Sequence, residues 1–234
     1  MLGNKKSEAL LANIRNGQPM SQNEKLKLIV SLSIPSILAQ ITTVMMFFID
    51  ASMVGHLGAE ASASIGLVES TTWLMGSVMS AASMGFSVQV SHFIGANDFF
   101  KARQVFRHGL LCGLAFSLII AAIGTSIHSV LPLWLGGGND INHDASQYYL
   151  VFSLTMPFIL LFHLSASMIK CSGNMQLPSL MSVLLCVLDV IFNYLFIYML
   201  HLGVVGAAIG TSMAYISTSL PIAWMATRRN KILA

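Results

Sequence analysis

The sequence predicts an all-α integral membrane protein of six transmembrane helices with both termini on the cytoplasmic side. Three observations predict it. The first is composition. Of 234 residues 55% are hydrophobic and only 9% charged, with a mean hydropathy of +0.74, whereas a soluble domain carries about 25% charged residues. The second is that the apolar residues gather into six runs, each reaching the roughly 20 residues that cross a hydrocarbon core. The third is where the twelve Lys and Arg lie. They fall in the N-terminal tail, between the second and third runs (Lys101, Arg103, Arg107), at Lys170 after the fourth, and at the C-terminus (Arg228, Arg229, Lys231). Six spans threaded from inside to inside put every cation on one face, as the positive-inside rule requires. Five or seven spans would scatter them.

Residues 1–27 form a polar tail with Lys5, Lys6, Arg15, Lys25 and Lys27. No small-residue cleavage site precedes an apolar core, so the tail reads as cytoplasmic rather than as a cleaved signal. The six-helix region then occupies 28–227. Its first run, 28–54, contains Pro35 and Asp50 and ends at the turn-like Gly55-His-Leu-Gly58. Pro35 removes one helical hydrogen bond, which a neighbouring helix or water must replace; a plain packing kink and a functional hinge both fit. The second run, 61–94, carries Glu69 near its start and is rich in Ala, Ser, Gly and Met, which permit close helix contact. Gly95-Ala-Asn-Asp98 ends it. The third, 108–131, is closed by Pro132 and Gly136-Gly-Gly138, and the fourth, 148–169, contains Pro157. Asn174, Gln176 and Pro178 break the chain before the fifth run, 180–200. The sixth, 204–227, has Pro221 near its end, and 228–234 is a short cytoplasmic tail.

Asp50, Glu69 and Asp189 are the acidic residues inside these runs. A carboxylate in hydrocarbon costs several kcal/mol unless it faces a polar cavity or a partner, which makes each a functional candidate. Asp189 is central in the fifth run, and Asn193, four residues on, stacks on the same helical face. Asp50 lies toward the outer end of the first run, where headgroup wetting is the competing account, and Glu69 can sit at the outer surface. Asp50, Asp189, Asn193 and a hydroxyl from the sixth run, best supplied by Thr211, would make an oxygen-rich site. Hard oxygen ligands suit Na⁺, and two close carboxyls equally suit a proton. The residues do not choose between H⁺ and Na⁺. Either ion would remove net charge and alter the packing of the first helix.

Other functions find no support in the residues. A net charge of +3, with no basic patch interleaved with aromatics, gives no reason to expect nucleic acid. Cys112, Cys171 and Cys186 lie in or beside apolar runs without a CxxC pattern, and read as small buried hydrophobes. The seven His show no paired metal-ligand spacing. No Walker A, GxSxG or dinucleotide fingerprint is present, and no cofactor is expected beyond the coupling ion. An intramembrane aspartyl protease needs Tyr-Asp and Gly-x-Gly-Asp settings, but Asp50 follows Phe48-Ile49 and Asp189 follows Val187-Leu188. The protein is not expected to be an enzyme.

Several segments resemble one family. Pro35, Phe48-Ile-Asp50 and Met53-Val-Gly-His-Leu-Gly58 are similar to the first helix of multidrug and toxic compound extrusion (MATE) transporters. Ser91-His-Phe-Ile-Gly-Ala-Asn-Asp98 with Ala102-Arg103, and Lys170-Cys-Ser-Gly-Asn174 with Pro178, continue the likeness. Asp189-Val-Ile-Phe-Asn193 and Gly203-Val-Val-Gly-Ala-Ala-Ile-Gly-Thr211 complete it, from about Leu28 to Arg229. The resemblance implies a multi-pass protein of the plasma (inner) membrane that exports amphipathic small molecules against H⁺ or Na⁺. It also implies a cation site of Asp50, Asp189, Asn193 and Thr211, with Pro35 at a helix-1 bend. Family members have twelve helices in two lobes, and this chain matches the amino-terminal lobe alone, the second being absent. A truncated gene and a homodimer are the two expectations for the missing half. A lipid-linked sugar flippase of the same superfamily, or a non-transporting remnant, are the alternative functions.

Overall fold

A computed structural model describes residues 18–19, 21–230 and 232; most of the expected N-terminal tail and part of the C-terminal one lie outside the described residues. Six long helices run back and forth: α1 (Gln22–Gly55), α2 (Ala59–Gly95), α3 (Phe99–Ile127), α5 (Asn139–Cys171), α6 (Gln176–Tyr194) and α7 (Gly203–Trp224). A four-residue helix, α4 (Leu131–Trp134), sits between α3 and α5. The six expected runs each have their helix, and no strand occurs among the described residues. Five of the six are long and apolar enough to cross a membrane; α2 is outside that set, its many Ser diluting an otherwise apolar sequence.

Most helices start further out than hydrophobicity alone suggests, whereas α3 stops at Ile127, short of the expected 131. Ser21 and Glu24 form a reciprocal capping box, so α1 begins at Gln22, inside what the sequence marked as tail. Two orphan N-terminal amide groups are satisfied this way at no apolar cost. Likewise α5 begins at Asn139, about two turns before the apolar run, and α7 continues through a π-helical turn, Met225–Arg229. Helix α1 passes unbroken through Pro35. The Ser36 hydroxyl donates to Leu32 O at 3.1 Å beside the interruption, one residue on from the Ser31 carbonyl that Pro35 leaves without its helical donor.

Helix α5 is the axis of the lobe. It packs against α2, α3 and α7, and half of the residues in its apolar stretch are buried. The reason is legible in α3, whose buried positions are Ala102, Phe106, Gly109, Gly113, Ser117, Ala121 and Gly124. Their spacing of three and four puts them on one face, and all but one are small. A Cβ on Gly113 would come within 2.9 Å of Leu160 Cδ2, so the α5 side chain occupies the groove that glycine leaves. Several buried hydroxyls in this bundle hydrogen-bond to their own helix, as when Ser83 Oγ donates to Met79 O at 2.9 Å. This keeps them satisfied where no water reaches, although the Ser153 and Ser165 hydroxyls make no such bond.

A candidate ion site between the first, sixth and seventh helices

Helix α1 approaches the rest of the lobe chiefly along α6, and one polar cluster stands at that contact. Asp189 and Asn193 face inward from α6, one turn apart, with exposures of 0% and 1%. Asp50 comes from α1, about 22 Å along the helix from Pro35 at 1.5 Å per residue. Asn193 Nδ2 donates to Asp50 Oδ1 at 2.9 Å and to Asp189 Oδ2 at 3.2 Å. One amide thus commits both of its hydrogens to two carboxyl groups from different helices. The carboxyls also face each other, and the Thr211 hydroxyl of α7 stands beside the Asp189 carboxyl.

Two buried oxygens remain without a donor, Asp189 Oδ1 and Asn193 Oδ1. Buried acceptors are almost always satisfied, and an orphan calls for an explanation. Here the chemistry of the set provides one. Two carboxyls, an amide oxygen and a hydroxyl are hard acceptors, fit to take up a proton or a small monovalent cation. The described Lys and Arg lie in the first three turns of α1 and α3 and at the C-terminal ends of α5 and α7, so among the described residues no fixed cation competes for the place. Among the described residues no group of three His, Cys, Asp or Glu could hold a metal ion by itself.

The structure brings Asp50, Asp189, Asn193 and Thr211 together and leaves Pro35 remote. Glu69 is exposed on α2 and takes no part. The structure also supplies residues that the hydrophobic pattern did not mark. Tyr148 from α5, Tyr215 from α7 and Cys186 from α6 lie close enough to feel the charge of the two carboxyls. Just past the site α6 widens into a π-helical turn, Leu195–Met199, and from it the Tyr198 hydroxyl donates to Met53 O of α1 at 2.8 Å. Tyr198 follows Asn193 by five residues, a spacing that no α-helical periodicity would flag; π-turns often mark functional sites. Gly206 and Gly210, by contrast, carried a visible small-xxx-small signal.

A family model described as MatE matches residues 35–195, more than half of the chain and the stretch that carries Asp50, Asp189 and Asn193. The chain belongs to the MatE family. Among curated relatives, the multidrug export protein MepA of Staphylococcus aureus (strain bovine RF122 / ET3-1) is 23% identical over 197 residues, 83% of this chain and 43% of MepA. A solved structure described as an outward-facing multidrug resistance MATE family transporter of the MOP superfamily is 28% identical. It superposes with a TM-score of 0.81 over 88% of this chain and 46% of that one. A crystal structure of MATE in the straight conformation gives 0.82 at 26% identity, over 88% and 46%. The chain therefore spans about half the length of the relatives it matches. It is a multi-pass membrane protein with the all-helical fold of MATE transporters.

Proposed function

We propose that this chain is the amino-terminal lobe of a MatE exporter that moves drugs or other amphipathic small molecules out across the plasma (inner) membrane. Transport is coupled to entry of H⁺ or Na⁺, held by Asp50, Asp189, Asn193 and Thr211, and the chain performs no covalent chemistry. The observation that carries this reading is the meeting of two carboxyls from α1 and α6 on the Asn193 amide, with two buried oxygens left unpartnered. The ion closes the gap between helices, and its departure leaves two facing carboxylates that repel each other. An ion therefore has differential affinity for the closed arrangement, which coupling requires. Both termini face the cytoplasm in this reading, since the described Lys and Arg cluster at the end of the bundle where α1 and α3 begin and α5 and α7 finish. The lack of any Lys or Arg deep in the spans supports drug export over flipping of anionic lipid-linked sugars.

The test places Asp50→Asn and Asp189→Asn, singly, in a complete transporter made of this lobe and a second six-helix lobe. Ethidium efflux driven by an imposed proton or sodium gradient is expected to fall more than tenfold in each, with membrane levels unchanged. Whichever gradient drives the parent protein identifies the ion. Retained efflux in both variants would overturn the site. Crosslinking of the 234-residue chain in membranes, with the same efflux assay, asks whether two copies stand in for two lobes.

A further inference from the structure

At Gly210 nothing but hydrogen separates α7 from Asn193. A Cβ on Gly210 would overlap Asn193 Oδ1, and would stand 2.8 Å from the Asn193 backbone N and 3.0 Å from its Cα. One turn earlier Gly206 makes a comparable approach to a different part of α6. A Cβ there would be 2.8 Å from Phe196 O and 2.9 Å from the carbonyl carbon. The two glycines share a face and set backbone against backbone, as small residues do between membrane helices. Only Gly210 reaches a side chain of the ion site.

The Asn193 amide is held at one end and not at the other. Its nitrogen donates to Asp50 and Asp189, while its buried oxygen has no donor and lies against Gly210. An amide oxygen without a donor does not fix its own direction; something must stand behind it. We propose that Gly210 is a positioning residue for the ion site, its bare Cα forming the wall that keeps both Asn193 N–H groups turned to the Asp50 and Asp189 carboxyls. This rests on the ion-site reading above but concerns the geometry of the amide, not transport. A methyl at this position drives the amide off the carboxyls, and they lose donors that favour their ionised forms. The nearest atoms that a Cβ on Gly210 would meet all belong to Asn193. The other titratable groups around the pair, Tyr148 of α5, Tyr215 of α7 and Cys186 of α6, are therefore not displaced directly, nor is the exposed Glu69 of α2.

The experiment uses the full chain purified in detergent and N,N′-dicyclohexylcarbodiimide, which modifies protonated carboxyls in apolar surroundings. Labelling of Asp50 and Asp189 is followed by mass spectrometry over a pH series extended to the alkaline limb where the parent's labelling is lost. On that limb Gly210→Ala is expected to raise the rate about tenfold, the weight of one hydrogen bond to a charged group. Gly206→Ala disturbs the same helix pair without touching a site side chain, and is expected to stay within about twofold of the parent. Should Gly210→Ala fail to reach the membrane, Asn193→Gln presses a longer amide against the same wall from the α6 side, with the same expected rise. Labelling at the parental rate in Gly210→Ala, or in Asn193→Gln in its place, overturns the proposal. So does an equal rise in Gly206→Ala, which would mean that helix spacing alone matters. Loss of the exporter reading in the efflux assay would leave this labelling result intact, so the two can fail separately.

Discussion

Helices α1 and α5 are 34 and 33 residues long and both are apolar, yet they are held in opposite ways. Half of the apolar stretch of α5 is buried, against 6% in α1. Around α5 shape decides. Gly113 and Gly124 of α3 leave room for the Leu160 and Ser153 side chains of α5, and Met79, Met156, Leu164 and Met168 fill the interior, each fully enclosed. Along α1 large side chains such as Leu38 and Phe48 are exposed. The helix is fixed by a few specific contacts: Asp50 to Asn193, Met53 O to Tyr198, and the ring of Phe47 beside Trp73 with centroids 5.1 Å apart. A contact spread over a whole face cannot be released by any single event. One that depends on a carboxyl group can be released by changing the charge on that group.

The contrast is sharpened most by the same truncation at both places. Leu164→Ala on α5 is expected to cost about 2–4 kcal/mol, because it opens a cavity that close-packed neighbours cannot fill. Leu38→Ala on α1 is expected to cost less than about 0.5 kcal/mol, since it removes no enclosed contact. Thermal unfolding of the purified chain in detergent measures both, and equal losses would break the distinction. Next in size is Tyr198→Phe, which deletes one hydrogen bond across the α1–α6 contact and is expected to cost about 1 kcal/mol. Its effect should concentrate in α1, read as faster amide exchange around Met53 with α5 unchanged. Uniform loosening of both helices would argue against separate modes of attachment.

The smallest effect belongs to a helix end outside the membrane. Asp98 caps α3 by accepting from the Lys101 backbone N–H at 3.1 Å, and Lys101 Nζ lies 3.0 Å from its other oxygen. The backbone hydrogen bond, then the side-chain one, hold this carboxyl below its ordinary value. A group depressed on folding contributes stability above its unfolded value and loses it as the pH falls through the folded one. Protection of the first-turn amides of α3 should therefore decline at acid pH, below the usual aspartate range, while α1 and α5 keep theirs. A decline already complete near neutral pH would contradict the cap.

Much of this was legible beforehand. Hydrophobic runs of spanning length gave the six helices in order, and the cost of a carboxylate in hydrocarbon singled out Asp50 and Asp189 before any geometry was known. Asn193 followed from four-residue spacing, and Thr211 from its place in the sixth run. The helix ends were less legible, because caps such as Ser21-x-x-Glu24 and polar first turns extend helices past the apolar residues that advertise them. Tyr198 was not legible at all: it reaches α1 only because a π-turn rotates it off the α-helical phase.

The sequence by itself determined which residues must be shielded from lipid, since that depends on transfer free energies that each side chain carries wherever it goes. Only the tertiary structure decided which of them meet. That the Asn193 amide meets one carboxyl from α1 and one from its own helix depends on how α1 lies along α6. The room left for the amide oxygen depends on Gly210 of α7, which has no side chain. Such nearness is a property of two surfaces together, and neither helix states it alone.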